Sequence, residues 1–278
     1  MPRTWVTGLA VVLAWVEPMR ADESPLDLAA KALDKQDYEA AVKHAAAAIK
    51  ADPKNPKGPY LLGVAQLRLR KDAAAVDAFS EAIALDGKFA AAYDRRGDAN
   101  LRLGKFKESA ADFDKVIELE PKVTPEHWRR GIALYYAGRY EDGVKQFETH
   151  KTVNPQDVEN AVWHYLCNNR VVGRDKARKE LIEVTRDGRV PMAEVQKLFA
   201  GKLKPADVLA AADKTDAKTD AGTEARFYAN LYVALYYEAE GDAAKVKEHL
   251  STAVERHKIG HYMWDVGAAH LKAAAARK

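Results

Sequence analysis

The chain has 278 residues, of which 47% are hydrophobic and 31% are charged, so it has enough apolar side chains to bury a continuous core. Its formal net charge of +3 at pH 7 is too small to indicate a nucleic acid as the partner. The only cysteine is Cys167, which excludes an intramolecular disulfide, and we expect its thiol to be buried as a small apolar group.

Residues 1–21 are predicted to be a secretory signal. Arg3 gives a charged start, and an apolar run from Trp5 to Val16 follows it. This run is shorter than the roughly 20 residues that a helix needs to cross a bilayer. We therefore expect an exported protein, periplasmic or in the cell envelope, without an integral membrane span. No cysteine follows the apolar run, so we expect no lipid anchor.

Residues 22–157 have a 34-residue period. Two sets of residues recur at this spacing: the glycines Gly63, Gly97 and Gly131, and the phenylalanines Phe79, Phe113 and Phe147. A tetratricopeptide repeat has this length, and it is a helix–turn–helix unit that buries its apolar face by stacking on its neighbours. We predict four repeats, starting near Asp22, Pro56, Ala90 and Thr124. The predicted fold is all-α, a solenoid of helical hairpins.

The two recurring residue types have different predicted roles. Glycine stands where the two helices of a hairpin approach most closely and a larger side chain would separate them. Phenylalanine is expected to fill the space between adjacent hairpins, and its removal should uncouple them.

The period weakens after Pro155. Residues 158–212 are predicted to form atypical helical hairpins: first two helices between Val158 and Val184, then a shorter pair that starts at Pro191 and Pro205. The polar stretch 213–223 is predicted to be a flexible linker. Residues 224–278 are predicted to form a repeat-like hairpin and a capping helix.

No enzyme motif is present, so we predict a non-catalytic protein without cofactor or metal. The chain lacks the His-Glu-x-x-His, Gly-x-Ser-x-Gly and phosphate-loop patterns. The alternative is a metal-dependent hydrolase whose site combines the irregular region 163–212 with His249, His257 and His261. A turn expected near Gly260 argues against a shared helix for the last two histidines.

The first helix of each repeat should line an inner groove. The positions that face it predict a protein-binding site made of Tyr60, Arg68, Asp94, Asp98, Arg102, Trp128, Tyr135 and Tyr136. Exposed aromatic rings beside arginine are typical of protein-binding hot spots. Ordinary packing between repeats is the alternative for the rings of Tyr60, Trp128 and Tyr135.

Two arginine pairs occupy the same positions of consecutive repeats. They are Arg95–Arg96 and Arg129–Arg130, and the second member of each pair replaces the usual leucine. One interpretation is an aliphatic stem packed along the hairpin with its charged end in water. The other is a docking site for an acidic peptide.

Three longer stretches resemble one family beyond the general repeat. They start at Ala92 (AYDRRGDA), at Trp128 (WRRGIALYYAGR) and at Phe227 (FYANLYVALYYEAEGD), and they resemble the bacterial new lipoprotein I family. The resemblance implies a homodimeric, non-catalytic envelope adaptor whose partners are cell-wall hydrolases and a protease. The missing lipid-bearing cysteine departs from that family. A further hypothesis is that the aromatic stretch from Phe227 to Tyr237 pairs two copies.

Overall fold

The computed structural model describes residues 23–276, so the predicted signal, residues 1–21, lies outside it, as do the last two residues of the predicted capping helix. Eight helices cover the predicted repeats: α1 (Pro25–Asp34), α2 (Tyr38–Ala51), α3 (Lys57–Arg68), α4 (Asp72–Leu85), α5 (Ala90–Arg102), α6 (Phe106–Leu119), α7 (Trp128–Tyr136) and α8 (Tyr140–Lys151). Each helix packs on the next one in the chain, both within a hairpin and between hairpins. The described residues contain no strand, and the predicted all-α repeat solenoid is confirmed.

The recurring glycines face the recurring phenylalanines of the same repeat. A Cβ atom added at Gly97 would lie 2.6 Å from the ring of Phe113, and one added at Gly63 would lie 2.6 Å from the ring of Phe79. Phe113 also lies beside His127, which belongs to the next repeat and immediately precedes α7, with 4.8 Å between the ring centres. The ring therefore joins the two helices of its own hairpin as well as neighbouring repeats.

Each of the four repeats turns through a left-handed residue at the same position. These residues are Gln36, Arg70, Gly104 and Gly138, with φ between 59° and 78°. In each case the next residue donates its backbone N–H to the carbonyl oxygen five residues before it, which terminates the first helix. The turn of the second repeat therefore places Arg70 just after the end of α3.

The region after the fourth repeat contains α9 (Val158–Val172), α10 (Arg174–Lys179), α11 (Met192–Phe199) and α12 (Pro205–Asp213). The expectation of helix as far as Val184 is wrong, because α10 ends at Lys179 and the chain from 181 to 188 has no regular secondary structure. Its backbone has other partners: the Gln156 side chain accepts hydrogen bonds from the N–H groups of Thr185 and Arg186.

Helices cover both ends of the predicted flexible linker, 213–223. Asp213 ends α12, a turn covers 214–219, and α13 runs over Asp220–Glu240. The Thr219 hydroxyl accepts a hydrogen bond from the Gly222 N–H at 3.0 Å and caps the new helix. Arg226 donates to the Thr215 carbonyl and holds the turn against α13. Because Thr219 caps α13, this helix begins inside the stretch that was expected to be a linker.

The C-terminal part of the described chain comprises α13, α14 (Ala243–Ser251), a π-helical turn (Thr252–Arg256) and α15 (Tyr262–Ala276). Most of the stretch from Phe227 to Tyr237, which we considered as a pairing surface for two copies, lies inside the chain, and only Tyr236 and Tyr237 are half-exposed. Phe227, Tyr228, Leu231 and Tyr232 are buried in the core of the same chain, so they are unavailable to a second copy.

The helices differ in how polar they are. Even α13, with 21 residues, carries charged side chains near both of its ends. Among residues 23–276, no helix is both long enough and apolar enough to span a bilayer.

Candidate protein-binding groove

The last helix lies against the first helices of the repeats. Residues of α15 contact α5 and also reach Arg70, Trp128 and Tyr136. A cavity of about 560 Å³ remains between this C-terminal segment and the repeats. The groove predicted from the sequence is therefore partly occupied by the chain itself.

Four predicted groove residues line this cavity: Tyr60, Arg68, Asp98 and Arg102. The ring of Tyr60 packs against Phe89, with 4.8 Å between the ring centres, and only part of it is exposed. Arg68 is exposed at the end of α3, and no ion pair is formed by it among the described residues. Of the four, Arg68 is the side chain most open to a partner.

Asp94 and Asp98 share one arginine. Arg129 lies 2.7 Å from the nearer oxygen of Asp94 and 2.6 Å from both oxygens of Asp98, while His127 lies 3.1 Å from Asp94. Burial by itself would raise the pKa of Asp94, but the hydrogen bond from His127 and the charge of Arg129 lower it to about 2. Burial raises the pKa of Asp98 more than Arg129 lowers it. This cluster links α5 to α7.

Three predicted aromatic residues contact other parts of the chain. Trp128 is half-buried and meets the ring of Tyr262 edge-on, with 5.2 Å between the ring centres. The Tyr136 hydroxyl lies 3.1 Å from Nδ1 of His270. Tyr135 is 4% exposed and packs on Trp163, so its assignment to the groove surface is wrong. The Tyr135 side chain points from α7 into the core, so the alternative of ordinary packing between repeats applies to it.

In the two arginine pairs, some side chains bind partners inside the chain and others are exposed. Arg96 binds Asp112 through two nitrogens and Ser80 through a third, so it bridges α6 and α4. Arg130 makes the equivalent bridge to Gln146 on α8 and Asp114 on α6. The partners lie 16 residues before and after each arginine. An acidic peptide would therefore find Arg96 and Arg130 already paired, whereas Arg95 is exposed.

The spacing of these partners is a signal that the sequence contains. Ser80 and Asp114 are 34 residues apart, and so are Asp112 and Gln146. The presence of a polar residue 16 positions before and 16 positions after each arginine is a pattern from which the bridge could be predicted.

The sequence did not identify Arg70, Tyr262, Trp264 or Asp265 as site residues. Arg70 and Arg102 lie 2.5 Å and 2.9 Å from the carboxylate of Asp265, which is 6% exposed. Arg70 and Asp265 are 195 residues apart, and no repeat or spacing connects them. This contact could be found only from the structure.

A metal-dependent hydrolase would need several histidine side chains around one metal ion. His249 and His261 instead contact different residues. Nδ1 of His249 lies 3.1 Å from Oδ1 of Asn230, and Nδ1 of His261 lies 3.0 Å from the Tyr228 hydroxyl. No group of three His, Cys, Asp or Glu side chains able to hold a metal occurs between residues 23 and 276. Burial raises the pKa of the Cys167 thiol, so this cysteine is not a reactive thiolate at neutral pH.

Comparison with known proteins agrees with the helical hairpins. Residues 26–90 and 90–123 match two family models, both described as tetratricopeptide repeat. No protein with a curated description matches the chain.

Solved structures with the same fold have low sequence identity. A tetratricopeptide repeat protein from Parabacteroides merdae ATCC 43184 is 19% identical, with a TM-score of 0.57, over 88% of this chain and 97% of its own. The MamA protein is also 19% identical, with a TM-score of 0.52, over 65% and 93% of the two chains. MamA residues 41 to the end, from Desulfovibrio magneticus RS-1, are 17% identical, with a TM-score of 0.50, over 56% and 88%. These similarities show the fold.

Proposed function

We propose that the chain is a non-catalytic scaffold that binds another protein on the inner face of its repeats, and the match of residues 26–123 to tetratricopeptide repeat models supports this. The observation that carries this proposal is the cavity of about 560 Å³ on that face. Arg68 and Arg95 are exposed there, beside the half-buried ring of Tyr60. Arginine and tyrosine are enriched where proteins bind one another.

The proposed location is outside the cytoplasm, in the periplasm or cell envelope. The apolar run from Trp5 to Val16 supports export, because it has the length of a signal core. The resemblance to the new lipoprotein I family supports cell-wall hydrolases or an envelope protease as partners, and a homodimeric assembly. In this proposal the scaffold holds such proteins near one another and carries out no reaction itself.

Affinity capture with charge-reversed variants tests the protein-binding role. The full-length protein is immobilised, and proteins retained from an extract of the native source are quantified by mass spectrometry. The inner-face variant is Arg68→Glu with Arg95→Glu. Its matched control is Lys43→Glu with Lys107→Glu, which makes the same charge change at exposed positions on the second helices α2 and α6.

We expect specific proteins to be retained by the wild type and by the control variant, and to be lost from the inner-face variant. Exported wall hydrolases or a protease among them would support the proposed location. Equal loss from both variants, or no selective retention by the wild type, would contradict a binding surface on the inner face.

A further inference from the structure

A buried carboxylate of this chain already occupies part of the inner face. Asp265 lies in the first turn of α15, and its two oxygens face Arg70 at 2.5 Å and Arg102 at 2.9 Å. Removing a carboxylate from water is costly unless it is paired, so these two arginines make its burial possible. The inner face therefore has a geometry that holds a carboxylate.

Aromatic rings lie beside several cations of this cavity. The ring of Trp264 lies 5.3 Å from the Arg70 guanidinium and 5.3 Å from the Lys258 ammonium. The ring of Tyr262 lies 5.9 Å from the Arg129 guanidinium. Cations at these distances are attracted to the ring face, so the rings help to keep several positive charges close together.

The residues around the cavity carry an excess of positive charge. Six cations, Arg68, Arg70, Arg95, Arg102, Arg129 and Lys258, line it with two carboxylates, Asp98 and Asp265. Arg129 is paired with Asp94 and Asp98, and the distance from Arg95 to Asp98 is 3.6 Å. Arg68 and Arg95 are exposed, so their charge is available to a partner.

Two hydrogen-bond donors of cavity-lining residues have no partner among the described residues. They are Nε of Arg102 and the hydroxyl of Tyr262, and both atoms are buried. Leaving a buried donor without an acceptor is energetically costly, so an acceptor placed nearby would be stabilised. Two unpaired donors beside an excess of cations are the complement of a carboxylate.

We propose that this cavity binds an acidic segment of a partner protein, and that Asp265 is an internal counter-ion that weakens the binding. The inference rests on the proposed protein-binding function and specifies the chemistry of the partner. The partner's carboxylates face Arg68 and Arg95 and share Arg70 and Arg102 with Asp265. Val266 and Gly267 keep α15 in place, because Val266 is fully buried and Gly267 packs near Leu231.

The test uses a short fluorescein-labelled peptide rich in Asp and Glu with one Trp, and a second peptide in which Asn and Gln replace the acids. Fluorescence anisotropy gives Kd for the full-length protein at low salt. Asp265→Asn keeps the shape of the side chain and removes its charge, so we expect about tenfold tighter binding of the acidic peptide. Arg68→Glu is expected to weaken binding at least tenfold. The matched control is Lys107→Glu, an equal charge change on the exposed face of α6.

Binding of the acidic peptide alone, tightened by Asp265→Asn and weakened by Arg68→Glu but not by Lys107→Glu, would support the inference. Circular dichroism checks that each variant is folded. Equal affinity for both peptides, equal effects of Arg68→Glu and Lys107→Glu, or no effect of Asp265→Asn in a folded protein would overturn it. If the capture experiment still depends on the inner face while the acidic peptide fails to bind, this inference fails and the scaffold function stands.

Discussion

At the scale of single residues, close contacts explain why some positions accept only one residue type. Gly63, Gly97 and Gly131 each face a phenylalanine ring of their own repeat at a distance that leaves no room for a methyl group. Because the interior is packed densely, an added carbon atom must displace the ring. The 34-residue recurrence of glycine thus has a local steric cause in each repeat.

Replacing Gly97 with alanine should destabilise the protein. The new Cβ would lie 2.6 Å from the buried ring of Phe113, and such overpacking typically costs about 1–3 kcal/mol. The measurement is the midpoint of urea unfolding. Gly87→Ala is the control, because an added Cβ there meets no atom within 4 Å. Equal midpoints for the two variants would contradict the contact.

Asp94 should make the stability of the protein depend on acidic pH. Its folded pKa of about 2 is below the value near 3.9 of an unfolded chain, so the ionised carboxylate stabilises the fold. This contribution is present above about pH 4 and is lost as the pH falls towards 2. We expect Asp94→Asn to lower the free energy of unfolding by about 2 kcal/mol at pH 7.

The same difference between wild type and Asp94→Asn should shrink as the pH approaches 2. Urea unfolding of both proteins at several pH values measures it. A difference that stays constant between pH 7 and pH 2 would show that the carboxylate charge has no part in the effect.

At the scale of helices, ion pairs at repeated positions connect neighbouring hairpins. Arg96 and Arg130 each bind polar residues on the second helices of two repeats. These bonds cross the same boundaries as the phenylalanine contacts. A half-buried arginine thus joins the second repeat to the third, and another joins the third repeat to the fourth.

Arg96→Ala should lower the stability of the protein much more than the same substitution of its neighbour, Arg95. Asp112 is 4% exposed, and loss of its arginine would leave a buried carboxylate with Asn100 as its remaining side-chain partner. Breaking a buried pair in this way costs about 3 kcal/mol. Arg95→Ala is the matched control, because this side chain is exposed and should change stability by less than about 0.5 kcal/mol. Thermal unfolding of both variants measures the difference, and similar melting temperatures would contradict the bridge.

The repeats could be predicted from the sequence because the same residue types pack at the same positions of successive repeats. The placement of α15 could not, since the contacts of Asp265 join distant parts of the chain without any period. Tyr135 was misplaced because neighbouring positions of α7 point to different sides, and Tyr135 points towards Trp163. The irregular segment after Lys179 is bonded to the Gln156 side chain, and local propensity does not reveal this contact.

At the scale of the whole molecule, the described chain is a repeat array whose last helix returns to its inner face. This arrangement buries the apolar side of α15 and leaves a cavity with excess positive charge beside the first helices. The outer helices carry exposed charges of both signs, such as Asp77 and Lys107. The two faces therefore differ in shape and in charge, and we propose that partners bind to the inner one.

Site-specific photo-crosslinking in the native host tests whether a partner protein binds to the inner face. A photoreactive amino acid replaces Arg68 on the inner face or, as a control, Asp77 on the exposed side of α4 in the same repeat. We expect covalent products with a partner protein from position 68 and none from position 77. Products from position 77 alone would contradict this expectation.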